Sequence, residues 1–226
     1  MCRWYSYAGR AQGLLWSTAM LLALGAISDT ARAEQLVFRL NKQFTSNNIV
    51  EPPYLTATFD DEGSPGSVRL TLEATNLGQE FVREWDFNLN PDLDPNDLQF
   101  SVVSKTGTFA DPDISTGEDD FQADGDGLFD IEVLFDNSPP ANRFEAGESI
   151  VLDITGISTL KASDFNFFST PKGGQGVFPT AAQIVGGPNA GWVTVPEPSS
   201  CAIALMGAAL LLARARRGRG KDATIA

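Results

Sequence analysis

The sequence predicts an all-β protein whose central domain is a single antiparallel β-sandwich, of the jelly-roll or immunoglobulin-like type. Three observations predict this fold class. Apolar and polar side chains alternate with a period of two in several segments, turn residues separate those segments, and no amphipathic helix of useful length interrupts them. A short apolar segment near each end of the chain departs from this pattern.

Alternation is clearest in four segments, each of which predicts a half-buried strand. Their apolar positions are Leu55, Ala57 and Phe59; Val68, Leu70, Leu72 and Ala74; Phe129, Ile131, Val133 and Phe135; and Ile150, Leu152 and Ile154. Further strands are predicted at residues 36–40, 81–89, 98–103 and 165–168. Turn residues fill the intervals at residues 62–66, 124–127 and 138–140. Short strands joined by frequent turns are typical of a sandwich.

The N-terminus has the three parts of a secretory signal peptide. Arg3 and Arg10 make the start positive, residues 13–27 are apolar, and Ala31 and Ala33 place small residues at positions −3 and −1 of a cleavage site. A buried helix of a cytosolic domain is the alternative, but it does not require these features in this order. The sequence therefore predicts a signal peptide over residues 1–33 that is cleaved after Ala33.

The C-terminus combines an uncharged segment with a basic cluster. Residues 201–213 carry no charge, and the cations that follow are Arg214, Arg216, Arg217, Arg219 and Lys221. This order predicts a short transmembrane helix with a stop-transfer signal held on the cytoplasmic side. Thirteen residues rise about 20 Å as a helix, against a hydrocarbon core of about 30 Å, so the segment is short for a span. A buried core helix fits less well because the segment has no polar face.

The triplet Pro196, Glu197 and Pro198 stands directly before this apolar segment. Proline fixes φ and lacks an N–H, so the triplet is held extended and outside any helix. The triplet, the apolar segment and the Arg-rich end together resemble the PEP-CTERM sorting signal of Gram-negative bacteria. The resemblance implies that an exosortase, a membrane-embedded cysteine protease or transpeptidase, recognises the triplet and removes the tail near it.

The sequence therefore divides into three predicted parts. The residues predict a signal peptide at 1–33 and an acidic β domain at 34–195, and the resemblance implies a sorting signal at 196–221 whose apolar segment anchors the chain transiently in the inner membrane. The product would be exported through that membrane, anchored before tail removal, and at the cell surface or extracellular after it.

The central domain is strongly acidic. Residues 34–195 contain 26 acidic and 8 basic residues, a net charge of −18, whereas the whole chain has a net charge of −13. Nucleic acid is therefore excluded as a partner, because phosphate contacts need a basic surface. Cys2 and Cys201 both lie in the terminal segments, so the domain has no disulfide.

Most catalytic chemistry is excluded by composition. The chain has no histidine, which rules out a Ser-His-Asp triad, a Cys-His dyad and the usual zinc sites. A glycosidase built on a carboxylate pair stays open, although many acidic residues make such pairs uninformative. We therefore expect no enzyme, no catalytic residue and no cofactor.

Residues 119–130 are the sharpest candidate for a metal site. Aligned on an EF-hand loop, Asp120, Gln122, Asp124 and Gly125 take positions 1, 3, 5 and 6, but position 12 is Ile131 rather than a bidentate Glu. The missing ligand favours a plain Asp-Gly turn that leads into the following strand. Calcium binding would require Asp124, Asp126 and Asp130 to converge on one cation, with Asp130 facing solvent.

Trp85 and Trp192 could form an aromatic platform for a sugar. Alternation places Trp85 on one face with Phe81, Phe87 and Leu89, which favours a core position. Trp192 follows Gly191 near the end of the domain, where exposure is expected.

These features favour a non-enzymatic surface or extracellular-matrix protein, sorted by an exosortase and associated with exopolysaccharide or biofilm. The alternative is a carbohydrate-binding module that acts on the cell's own exopolysaccharide. An enzyme of unknown type ranks third.

Overall fold

The computed structural model describes residues 33–45, 55–174, 176–187 and 190–196, and twelve β-strands make up about half of these residues. The strands are β1 Gln35–Leu40, β2 Lys42–Gln43, β3 Leu55–Asp60, β4 Val68–Ala74, β5 Phe81–Phe87, β6 Gln99–Thr106, β7 Asp113–Ala123, β8 Asp126–Leu134, β9 Phe144–Glu145, β10 Ser149–Thr155, β11 Thr180–Val185 and β12 Gly191–Thr194. Three short 3₁₀ helices accompany them at Pro95–Asp97, Pro140–Asn142 and Ala162–Phe165.

The strands form two sheets, and every paired strand in them is antiparallel. The first sheet has the order β1-β3-β4-β10-β6, and the second has the order β2-β12-β11-β5-β8-β7 with β9 beside β5. The predicted all-β class and antiparallel pairing are therefore confirmed. The choice between a jelly-roll and an immunoglobulin-like topology stays a prediction.

One hydrophobic core lies between the two sheets. The inward positions of β3 (Leu55, Ala57 and Phe59) are completely buried, and they alternate with partly exposed residues as the period of two predicts. Phe59 meets Phe87 of the second sheet edge to face at 5.3 Å between ring centroids. Apolar side chains of both sheets belong to this cluster, so each sheet buries one face against the other.

The segment predicted as a strand at residues 165–168 is instead the end of a 3₁₀ helix and an irregular connection. Asp164 accepts a hydrogen bond from the Lys161 backbone N–H at 2.9 Å and so caps the first turn of the helix Ala162–Phe165. Phe165 then stacks on Phe59 at 4.3 Å. Phe165 therefore packs on the core from a turn and not from a sheet strand, whereas Phe168 is exposed.

A β-bulge changes the face on which Phe81 lies. Val82 and Glu84 of β5 oppose adjacent residues of β11, so Arg83 is the extra residue in the ladder. Trp85 and Val82 therefore both point into the main core, whereas the Phe81 ring lies under the Arg143 guanidinium at 4.3 Å. The expected sharing of one face by Trp85 and Phe81 is wrong because a bulge reverses the alternation.

Strand β12 is the last strand of the described chain and lies between β2 and β11 in the second sheet. The Thr194 carbonyl accepts from the Asn41 N–H at 3.1 Å, and its hydroxyl donates to the Thr180 carbonyl at 2.6 Å. Thr194 is 1 % exposed, whereas Pro196, two residues later, is exposed and belongs to no strand. The last described strand therefore ends two residues before Pro196, the first residue of the Pro-Glu-Pro triplet.

Several predicted features lie outside the described residues. They are the signal peptide with Ala31, the apolar segment 201–213, and the residues Glu197, Pro198, Arg214, Arg216, Arg217 and Arg219. Within the described residues, no helix has the length and apolar character needed to cross a membrane.

Candidate functional site

The Asp-Gly segment predicted between two strands is a tight hairpin turn. Asp124 and Gly125 are its two central residues, with φ of 54° and 81°, and Ala123 of β7 pairs with Asp126 of β8 across it. Positive φ at both positions is the signature of a type I′ turn, which matches the twist of the flanking strands. The turn interpretation is confirmed, and the preceding Asp120 and Gln122 belong to strand β7 rather than to a loop.

The three carboxylates proposed for calcium have separate roles. Asp126 and Asp130 lie on one strand, four residues and therefore about 13 Å apart along it. Asp126 Oδ1 accepts from the Gly174 N–H at 2.6 Å. Asp130 is half-buried and accepts from the N–H groups of Leu89 and Asp119 at 2.8 and 3.0 Å. Asp126 and Asp130 hold neighbouring backbone, so the convergence that calcium binding would require does not form, and Asp130 is half-buried rather than solvent-facing.

Neither tryptophan of the domain forms a surface platform. Trp85 is fully buried, and its Nε1 donates to Thr180 Oγ1 at 3.0 Å, which confirms the core position. Trp192 is 5 % exposed and packs in a small second cluster with Phe178 and Phe129. The expected exposure of Trp192 is wrong, because β12 is paired on both sides and its outward face is covered.

An open cleft lies where strand β5 ends. Its volume is about 330 Å³, and it is lined by the segment Asn88, Leu89, Asn90, Pro91, Asp92, Leu93, Asp94 and Pro95, together with Glu118, Asp119, Asp130, Phe167, Phe168 and Thr170. Phe168 on this lining is 59 % exposed, the most exposed large aromatic side chain among the described residues. Sequence reasoning missed Phe168, because the assignment of residues 165–168 to a strand suggested packing.

Hydrogen bonds fix the walls of this cleft. The Asn88 side chain donates to the carbonyls of Phe167, Phe178 and Pro179 at 3.2, 3.0 and 3.0 Å. The Asn90 side chain accepts from the Asp92 N–H at 3.0 Å and donates to Asp164 Oδ1 at 3.1 Å. Because Asn88 and Asn90 join the end of β5 to the segment that carries Phe168, the aromatic ring and the polar wall are held together.

The electrostatics of the cleft are acidic. Carboxylates of Asp92, Asp94, Glu118, Asp119 and Asp130 line it, and no basic side chain occurs among its described lining residues. Burial raises the pKa of Asp130, although its two backbone hydrogen bonds oppose the rise. Oxygen acceptors beside an exposed aromatic ring suit a ligand with many hydroxyl groups and no negative charge.

A second group of carboxylates lies on the outward face of the second sheet. Oxygens of Glu84, Asp86 and Glu132 are within 4.8 Å of one another. Glu84 and Asp86 are two residues apart on β5, and Asp86 pairs directly with Glu132 on β8, so alternation points all three outward while Trp85 points into the core. Among the described residues, these three acidic side chains are the ones that lie close enough together to hold one metal ion.

Burial dominates the electrostatics of this group. It raises the pKa of Glu84 to about 7, with the nearby Glu132 carboxylate adding to the rise and Arg83 opposing it. It raises the pKa of Asp86 well above its ordinary value, and both glutamates add to that. Burial also raises the pKa of Glu132, with Asp113 adding, while a hydrogen bond with Glu84 lowers it. The three carboxylates therefore repel one another when all are ionised.

The comparisons with known proteins concern the end of the chain. Residues 194–219 match the family model of the PEP-CTERM protein-sorting motif. The match begins at Thr194, the last residue of β12, and includes the Pro-Glu-Pro triplet, the apolar segment and the basic residues through Arg219. It supports a PEP-CTERM sorting domain-containing protein, and it implies sorting to the cell surface with an exosortase as the processing partner. Comparison with curated proteins and with solved structures finds no match.

Proposed function

We propose that this chain is a non-enzymatic surface or extracellular-matrix protein that is held in the cell's exopolysaccharide by its β domain. The sorting motif at residues 194–219 implies export, with membrane anchoring before exosortase cleavage and a surface location after it. A protein released at the surface needs a partner there in order to be retained. Exopolysaccharide has the chemistry that the cleft can recognise.

The exposed Phe168 is the observation that carries the polysaccharide part of the proposal. An aromatic ring at the rim of a cleft can pack against the apolar face of a sugar ring. Carboxylate groups accept hydrogen bonds from the sugar hydroxyls, and amide groups both donate to them and accept from them. The carboxylates of the lining disfavour an acidic polymer. The expected ligand is therefore a neutral or amino-sugar-containing polysaccharide.

The non-enzymatic part of the proposal is supported by the use of the cleft carboxylates. Asp130 already accepts two backbone hydrogen bonds, and Asp94 Oδ1 accepts from the Asn96 N–H at 2.9 Å as the cap of a 3₁₀ helix. Carboxylates that fix backbone are poorly placed to transfer protons to a substrate. With no histidine in the chain, binding is the better account of the site than hydrolysis.

Replacing Phe168 by alanine tests the proposed function. Loss of a stacked aromatic ring costs about 1 kcal/mol, so we expect the affinity for the host's isolated exopolysaccharide to fall about five- to tenfold in a co-sedimentation assay. Val103→Ala is the matched control, because Val103 is also an exposed apolar residue (49 %) but lies on β6. Equal binding by the wild type and both variants would contradict a role for the cleft.

The same assay distinguishes retention by the β domain from a purely structural role. A matrix protein without a polysaccharide site need not bind the isolated polymer, whereas the proposed protein and a carbohydrate-binding module must both do so. The chain length of the polysaccharide after incubation separates both from an enzyme. We expect binding without any shortening of the polymer.

A further inference from the structure

We propose that Glu84, Asp86 and Glu132, together with the side-chain oxygen of Gln183, form a calcium-binding site on the outward face of the second sheet. This site is separate from the cleft that contains Phe168 and does not depend on the proposed function. It also differs from the Asp-Gly segment at residues 119–130, where Asp126 and Asp130 hold backbone instead.

The sheet register brings the four side chains together from three strands. Glu84 pairs with Gln183 on β11, and Asp86 pairs with Glu132 on β8. Directly opposed residues have Cβ atoms about 5 Å apart, and residues i and i+2 of one strand share a face. Strand β5 lies between β11 and β8, so it carries two acidic residues in the middle of the group.

The spacing of the carboxylates fits a single ion. Their oxygens lie within 4.8 Å of one another. Calcium binds oxygen ligands at about 2.3–2.6 Å, so two ligands on opposite sides of one ion stand about 5 Å apart. Three carboxylates and an amide oxygen are hard ligands of the kind that calcium prefers.

Asp86 points to a ligand independently of this spacing. It is 0 % exposed, and both of its carboxylate oxygens are buried with no hydrogen-bond partner. Within the described residues, the charged groups that act on the Asp86 carboxylate are those of Glu84 and Glu132, and both are negative. The side-chain oxygen of Gln183 is likewise buried and unpartnered. Buried polar groups are normally satisfied, and a buried carboxylate without a partner is costly. A divalent cation would satisfy these oxygens together.

A shared proton is the competing account of the same geometry. Carboxylate oxygens of Glu84 and Glu132 lie within 4.8 Å of each other, and one proton shared between them would relieve part of the repulsion. It would not satisfy the buried oxygens of Asp86, nor that of Gln183. A cation accounts for all four side chains, whereas a proton accounts for two.

The test is a thermal melt of the full chain in mild detergent at pH 8, with calcium chloride, magnesium chloride or sodium chloride at matched ionic strength. Millimolar calcium is expected to raise the melting temperature by several degrees, because a ligand of the folded state stabilises it. Magnesium should raise it less, since it dehydrates reluctantly and demands stricter geometry. Isothermal calorimetry should give about one calcium per chain.

Variants decide between this site and general charge screening. Asp86→Asn is expected to abolish the calcium-induced shift, with Glu132→Gln as a second variant should Asp86→Asn fail to fold. Asp120→Asn is the matched control, because Asp120 is an exposed carboxylate on β7, and it should keep the shift. An equal shift in magnesium, or a calcium shift that survives both Asp86→Asn and Glu132→Gln, would overturn the proposal.

Discussion

Replacing Trp85 by alanine is expected to lower the free energy of unfolding by about 4 kcal/mol. The indole is fully buried between the sheets, stacks with Phe87 at 5.8 Å between ring centroids, and donates to Thr180 Oγ1. Alanine would leave a large cavity and remove the donor for a buried hydroxyl. A loss of this size should lower the melting temperature by about 10 °C in a thermal melt followed by circular dichroism.

Phe168→Ala is the control for this experiment. Because the Phe168 ring is 59 % exposed, its removal should change stability by less than about 0.5 kcal/mol. The pair of variants separates a core aromatic residue from a binding one. If Trp85→Ala kept its melting temperature and lost polysaccharide binding instead, Trp85 would be the sugar platform and the fold described above would be wrong.

Replacing Pro196, Glu197 and Pro198 together by alanine is expected to abolish tail removal. Because proline fixes φ and lacks an N–H, the two prolines are expected to favour an extended triplet, a backbone shape that suits a protease active site. Alanine removes that restriction and also the recognised side chains. In a host with an active exosortase, the variant should stay in the membrane fraction while the wild type appears at the surface.

A matched control for the triplet variant replaces Ser199 and Ser200 by alanine. These residues adjoin the triplet but lie outside it, so processing should continue as in the wild type. Normal release of the triplet variant, or equal retention of both variants, would contradict recognition of Pro-Glu-Pro.

The sequence could predict those strands whose two faces differ. In β3, β4 and β10, core residues alternate with partly exposed ones, so the period of two is visible in the residue types. Strand β7 shows no such pattern, because it is an edge strand with interrupted register and mostly half-exposed polar side chains. The first three residues of β11 are all buried, so the residue types of this strand do not alternate and a period of two could not be recognised in the sequence.

The candidate sites were less predictable than the fold because they depend on register. The Asp-Gly turn could be predicted, since the two residues are adjacent and their conformational preference is local. The group of Glu84, Asp86 and Glu132 joins residues up to 48 positions apart across β5 and β8, and the bulge at Arg83 shifts the register of β5 against β11. Predicting the exposure of Phe168 would have required the exact path of the irregular connection that follows the 3₁₀ helix Ala162–Phe165.

The most direct test of the account is the intact mass of the protein isolated from its native host. The Ala31-x-Ala33 site and the sorting motif at residues 194–219 predict a mature chain that begins at Glu34 and ends at or near residues 196–198, with all twelve described strands retained. A mass that still includes residues 214–226, in a host whose exosortase is active, would contradict the account.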